Sequence, residues 1–371
     1  MQKQMSIETG TTKSQTKSTK VKTIAAILSI VGLGLFIYLV YSVGVSEIVQ
    51  GITKIGFGGF AIILSIYFLR IVLRATGWKL SVYEPFSLSL KEAIPAVIIG
   101  EAVSSMIPLG VLASGTAKVL AVRKQIPLVV GFSSIATENL FYCLATGIFL
   151  VSGAFLFLQG FEIPAIWFWT ISFLIFLVVI LTIIGFLMVY RQWHWGSGLC
   201  ELLYQKGIFH HFLEHRRESV REFEDLILDF YQKYPGRFIP ILLLECGYHL
   251  LGITEVYFVL SRISSTAPTI YLSFLLESVS RVITVIFKLI PFLVGVDEAG
   301  AQFITETLAL GAGLGVTLAI IRKGRMLFWV GIGVLITLKR GLSLGEVFSH
   351  HELMQHRLED PKKVVSHSQI D

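Results

Sequence analysis

The sequence predicts an all-α fold, a polytopic membrane bundle of about seven to eight spanning helices with further broken or re-entrant ones. Three observations predict it. Of the 371 residues, 54% are hydrophobic and only 15% charged, at a mean hydropathy of +0.74, which is more apolar surface than a soluble core of this size can hide. Apolar windows of roughly 20 residues, the length that carries a helix across ~30 Å of hydrocarbon, recur along the chain. No stretch alternates apolar with polar residues as the strands of a barrel would.

In chain order, residues 1–22 are basic and rich in Ser, Thr and Lys, which reads as a disordered tail on the cytoplasmic side. Thr23 to Val43 is too long for a signal-peptide core and reads as a retained first span. Further windows run from about Phe57 to Leu73, Leu128 to Leu158, Ala165 to Tyr190, Phe238 to Leu260, Phe303 to Ile321 and Met326 to Leu338. Two more apolar regions, 86–122 and 267–298, are interrupted by Pro, Gly and charges, as re-entrant or broken helices are.

Residues 191–237 form a Lys- and Arg-rich cytoplasmic loop. In it Ser219 and Glu222 have capping-box spacing, and Val220, Phe223, Leu226, Ile227 and Phe230 make an apolar stripe that predicts an interfacial helix. The transmembrane domain is expected over 23–341, with a polar tail over 342–371. Arg322-Lys323-Gly324-Arg325 and Lys339-Arg340 read as basic loops on both sides of the last helix, which leaves the side of the C-terminus open. The expected location is the plasma (cell inner) membrane, multi-pass, with the N-terminus cytoplasmic.

The two interrupted regions look like distant copies. Glu92 and Glu277 are 185 residues apart, as are Gly115 and Gly300, and each region has an Ile-Pro step, Ile107-Pro108 and Ile290-Pro291. Paired interruptions of this kind point to a transporter's central site.

Charged residues inside apolar spans cost roughly 2.5–3.5 kcal/mol each at mid-membrane, so they single out candidate substrate-binding residues. Glu138 lies on a polar stripe with Ser134 and Tyr142. Glu245, Tyr248, His249, Gly252 and Glu255 share one helical face, where Glu245 and His249 are an i,i+4 pair suited to sharing a proton. In the second interrupted region Glu277 and Arg281 can neutralise each other at i,i+4 spacing. Arg281 and Lys288 suit a lipid phosphate, and Asp297 and Glu298 suit a cationic headgroup or a helix cap. Lys118, with Lys91, Glu92 and Glu101, is the parallel set in the first.

Cys143, Cys200 and Cys246 are too dispersed for a disulfide framework or a CxxC metal site. His210, His211 and His215 read as a solvated face, and Gly311 and Gly315 as helix packing. No cofactor and no metal is expected. Nothing resembles a nucleic-acid module, and the net charge of +6 is placed to meet anionic lipid.

Several ordered features together carry a family resemblance. Leu73-Arg74-Ala75-Thr76-Gly77-Trp78-Lys79 closes an early span, and Ile107-Pro108-Leu109-Gly110 precedes a small-residue run to Lys118. Thr137-Glu138-Asn139-Leu140 lies in a long span, followed by Ile290-Pro291 through Glu298-Ala299-Gly300 and the terminal Arg322 to Gly341 helix. Over roughly residues 23 to 341 the chain resembles the flippase-like transmembrane region of lysylphosphatidylglycerol synthases, also found as stand-alone proteins.

The resemblance implies a helical bundle with re-entrant helices that moves a phospholipid or modified lipid, such as an aminoacylated phosphatidylglycerol, between leaflets. Two departures leave the headgroup open: Lys118 stands where members tend to carry Arg, and Val294-Gly295-Val296-Asp297-Glu298 replaces a Gly-Gly pair before Glu. The polar residues after Gly341 leave no room for an aminoacyltransferase domain, so transport is expected rather than synthesis. The alternatives are a membrane-embedded lipid-modifying enzyme, using Glu245 and His249 as acid and base or metal ligands, and an accessory subunit of a separate lipid synthase or glycosyltransferase. Expected partners are membrane phospholipids, a separately encoded lipid synthase and further copies of this chain.

Overall fold

A computed structural model of the chain describes residues 37–38, 41, 45–106, 110–160, 165–205, 217–264, 267–287, 290–308 and 310–340. The tail 1–22, nearly all of the expected first span, the Ile107-Pro108 step, His210, His211, His215, Lys288 and everything from 341 onward lie outside the described residues. Among the described residues there are eleven α-helices and no strand, so the chain is all-α.

The helices are α1 (Val45–Leu80), α2 (Leu90–Met106), α3 (Gly110–Ala121), α4 (Leu128–Gly160), α5 (Ala165–Tyr190) and α6 (Trp195–Gln205). They continue as α7 (Arg217–Lys233), α8 (Pro235–Ile263), α9 (Ile270–Ile286), α10 (Val296–Thr307) and α11 (Ala312–Lys339). Among the described residues α1 over Ile48–Leu80, α4 and α8 have the length and apolarity to cross a bilayer. α5 carries no charged residue in its 26 positions.

Four expected windows fall on helices, Phe57–Leu73 within α1, Leu128–Leu158 within α4, Ala165–Tyr190 as α5 and Phe238–Leu260 within α8. The last two windows divide differently. Sequence places a loop at Arg322–Arg325, but α10 stops at Thr307, the chain turns at Gly311 with φ +91°, and α11 runs unbroken from Ala312 to Lys339. Arg322 and Arg325 therefore lie mid-helix, each only 9% exposed. Their charge mimics a loop in one dimension because Glu277 and Glu298, which neutralise Arg322 and Lys323, come from other helices.

The interrupted regions share a pattern. α2 and α3 have 17 and 12 residues, and so do α9 and α10. At 1.5 Å per residue, roughly 25 and 18 Å, neither member of a pair reaches across ~30 Å of hydrocarbon. Between α9 and α10 the break is a 3-10 turn at Pro291–Leu293, with Phe292 and Leu293 at φ of 55° and 51°. Gly295, at φ 83°, then starts α10, its N–H donating to Glu298 Oε2 at 2.8 Å. That is half a capping box; glycine has no side chain for the other half. Matching positions carry opposite charge: the twelfth residue is Glu101 in α2 and Arg281 in α9, and the eleventh is Glu138 in α4 and Arg322 in α11.

The described residues fall into two compact units, one from those up to Ala61, within Ser104–Gly110 and within Val256–Leu327, the other from those within Ile62–Val103, within Val111–Glu255 and from Phe328 to Arg340. In the first, α11 approaches α10 so closely that a Cβ on Gly315 would stand 2.3 Å from the Ala301 carbonyl oxygen. Gly311, by contrast, has open space at its Cα and supplies the turn. Because backbone cannot yield as a side chain does, Gly315→Ala is expected to destabilise by ~1–3 kcal/mol, read by thermal unfolding in detergent; at Gly311 a side chain would be strained by the φ instead.

In the second unit Trp78, Leu88, Ile98, Val119 and Ile126 make a core shared by α1, α2, α3 and α4. The Trp78 indole N–H, buried with it, donates to Ser134 Oγ at 2.9 Å. The loop helix α7 forms as its stripe predicts, but Phe230 is buried against Phe141 of α4 and Ile241 of α8, so part of the stripe is covered by protein. The side chains of Ser219 and Glu222 lie outside the described residues. Arg237 of α8 donates to the carbonyls of Leu80 and Val82 at 3.4 and 3.0 Å and pairs with Glu84, capping the C-terminal end of α1 with a cation.

Candidate functional site

In the second unit, five helices, α1, α2, α3, α4 and α8, deliver charged side chains to one set. α1 places Arg70 and Arg74 one turn apart on the same face, a like-charged pair that apolar surroundings do not tolerate without acids. Arg74 Nε and Nη2 both donate to Glu138 Oε1 of α4, at 3.0 and 2.7 Å, while Nη1 stands 3.7 Å from Glu101 of α2. The guanidinium lies over the Tyr142 ring at 4.5 Å, and Tyr67 donates to Glu101 at 3.4 Å. Arg70 pairs with Glu255 of α8 at 3.5 Å and lies over Tyr248 at 4.2 Å.

Lys118 of α3 is buried, and its stem lies across Gly100 of α2, where a Cβ would be 2.6 Å from Lys118 Cγ. Arg74, Glu138, Glu101 and Glu245 are the charges around its ammonium. Glu245 of α8 is 1% exposed, and neither of its oxygens accepts a hydrogen bond among the described residues. Its Oε1 lies against Gly77, 3.2 Å from where a Cβ would be, so the missing side chain makes its space. His249, one turn on, exchanges a hydrogen bond with Thr146 Oγ1 at 3.1 Å and stacks between Tyr142 and Phe149, at 6.0 and 4.7 Å between centroids.

The first unit holds the second set. Arg281 Nε and Nη2 donate to Glu277 Oε1 at 3.1 and 2.9 Å, and Arg322 takes the other oxygen of Glu277. Arg322 Nη1 also donates to Ser280 Oγ at 2.9 Å, and Ser280 donates to Asp297 at 3.2 Å. Lys323 pairs with Glu298 and reaches the Leu293 carbonyl at 3.4 Å, tying the 3-10 turn to the start of α10. Three cations, Arg281, Arg322 and Lys323, meet three anions, Glu277, Asp297 and Glu298. The second unit's set of Arg74, Lys118, Glu101, Glu138 and Glu245 has one anion in excess.

The structure thus brings Lys118, Glu138, Glu245 and His249 into one unit, and Arg281, Asp297 and Glu298 into the other; Lys288 lies outside the described residues. Sequence reasoning passed over Arg70, Arg74 as a site residue, Arg322 and Lys323. The available signal was the i,i+4 spacing of two arginines in an apolar span, which demands acids from elsewhere. Among the described residues no group of three or more His, Cys, Asp or Glu is placed to hold a metal ion.

With this geometry in view, the comparisons with known proteins add one match. The family model described as lysylphosphatidylglycerol synthase TM region matches residues 24–333. No curated protein and no solved structure matches the chain.

Proposed function

The chain belongs to the lysylphosphatidylglycerol synthase TM region family, and from that premise we propose that it is a flippase-like transporter that moves a phospholipid or modified lipid between leaflets. The observation that carries the proposal is the gathering of Arg74, Lys118, Glu101, Glu138 and Glu245 within one unit of a membrane protein, with one carboxylate left without a hydrogen bond among the described residues. A zwitterionic or charged headgroup loses hydration as it enters hydrocarbon, and fixed charges of both signs replace that hydration. The acyl chains stay in lipid. Lys118 takes the phosphate, Glu138 and Glu245 face the cationic part, and His249 lines the same face of α8.

Arg281, Asp297 and Glu298, with Lys288, serve a headgroup at the other interrupted pair, where existing ion pairs must open to admit it. The protein works in the plasma membrane with its N-terminus in the cytoplasm, beside a separately encoded lipid synthase.

The test is lipid movement in vesicles reconstituted with the purified chain and a fluorescent phospholipid. Losing a charge-assisted contact worth about 1.5–3 kcal/mol, Lys118→Gln is expected to slow movement by on the order of tenfold or more while the protein stays folded. Movement at the wild-type rate removes Lys118 from the path. Arg281→Gln is expected to slow it less, because Glu277 keeps Arg322.

A further inference from the structure

We propose that α6 lies along the surface of the bilayer with its leucines in the boundary between headgroups and acyl chains, so that the segment between α5 and α8 is anchored to lipid by α6 and to protein by α7. The observation is a helix whose two sides are inverted. At about 100° per residue, Leu199, Leu202 and Leu203 share one side of α6, and Ser197, Glu201 and Tyr204 share the opposite one. Leu199 and Leu202 are 58% and 48% exposed, whereas Ser197, Glu201 and Tyr204 are half-buried. A helix bathed in water turns its polar side outward and its apolar side to the core. α6 does the reverse, as a helix does when the medium outside it is lipid.

α7 holds it in that attitude. The His194 ring, just before α6, meets Asp225 Oδ1 at 2.7 Å, the Ser197 N–H donates to Glu224 Oε2 at 2.9 Å, and Gln192 donates to the Leu228 carbonyl at 3.4 Å. α7 is fixed to the bundle in turn by Phe230, buried against Phe141 and Ile241.

The bare side takes its occupant from what precedes it in the chain. α5 has 26 residues and no charge, and its exposed apolar side chains run from Ile166 to Leu187. That is roughly 39 Å of helix against ~30 Å of hydrocarbon. A turn over residues 191–194, with Gln192 at φ 53°, separates the end of α5 from α6, so α6 starts at the membrane boundary. Trp193, 40% exposed, stands in this turn with the Arg191 guanidinium 5.7 Å over its ring. An indole N–H and a guanidinium at that depth suit the ester carbonyls and phosphates of lipid as acceptors.

This contact does not depend on lipid being moved, and its test does not read lipid movement. The full chain is placed in nanodiscs containing a phosphatidylcholine with a diazirine near its glycerol esters, and the adducts formed on photolysis are mapped by mass spectrometry. In a parallel sample, hydroxyl radicals generated in the water oxidise the side chains that water reaches. Lipid adducts are expected at Leu199 and Leu202 at a yield comparable to that at Leu187. Leu199→Glu/Leu202→Glu is expected to lose most of the adducts at Trp193 and to raise Trp193 oxidation several-fold. Oxidation of Leu199 and Leu202 without lipid adducts in the unaltered chain overturns the anchor. Protection from both reagents, together with a dimer in the native mass spectrum that Leu199→Glu/Leu202→Glu separates, overturns it as well and assigns the face to a second copy.

Discussion

Arg74→Leu is expected to lower stability by about 3–5 kcal/mol, the range for breaking a buried ion pair by removing one partner. The loss arises less from the bonds themselves than from what stays behind. Glu138 would keep its charge in a buried position after losing donors at 3.0 and 2.7 Å, and Glu101 would lose a cation at 3.7 Å. Arg74→Lys is expected to recover only part, since an ammonium cannot offer the two-pronged donation to one oxygen or lie flat over the Tyr142 ring. The double variant Arg74→Leu/Glu138→Leu removes both charges and should regain most of the loss. Unfolding of the three variants in mixed micelles checks this; equal stabilities for the single and double variants would show that Glu138 finds another partner.

Glu277→Leu should cost as much in the first unit, again about 3–5 kcal/mol, because it removes the buried carboxylate that two arginines share. Arg281 and Arg322 both pair with this one carboxylate, which is fully buried, and the Ser280 hydroxyl links Arg322 to Asp297. Arg281→Leu is expected to cost clearly less. Glu277 would retain Arg322, and the Arg281 side chain, 14% exposed, has some access to its surroundings. The order of the two variants in an unfolding series is the decisive reading; Arg281→Leu proving the more damaging would mean that Arg281, not Glu277, organises the set.

The polytopic all-α class was legible from composition alone, since a chain this apolar has no soluble solution and no alternation for a barrel. The helices α1, α4, α5 and α8 were legible because each contains a long apolar window with few charges. Glu138, Glu245, His249 and Arg281 stood out because ionisable groups in such runs are costly. The interrupted regions were legible through Pro and Gly, which change backbone conformation locally and need no partner to do so.

The partners of those groups were not legible. Arg74 and Glu138 are 64 residues apart, and Arg322 and Glu277 are 45 apart, so no spacing rule joins them. The same blindness misplaced Arg322–Arg325 in a loop, since a basic run reads as solvent-exposed until the acids that neutralise it come into view. What the sequence by itself determined is therefore the solvent, the helices and the identity of the costly residues, all of which follow from local hydropathy and backbone chemistry. Only the tertiary structure decided that one set balances its charges while the other leaves Glu245 without a hydrogen bond among the described residues. Charge compensation is a sum over neighbours in space, and packing chooses the neighbours.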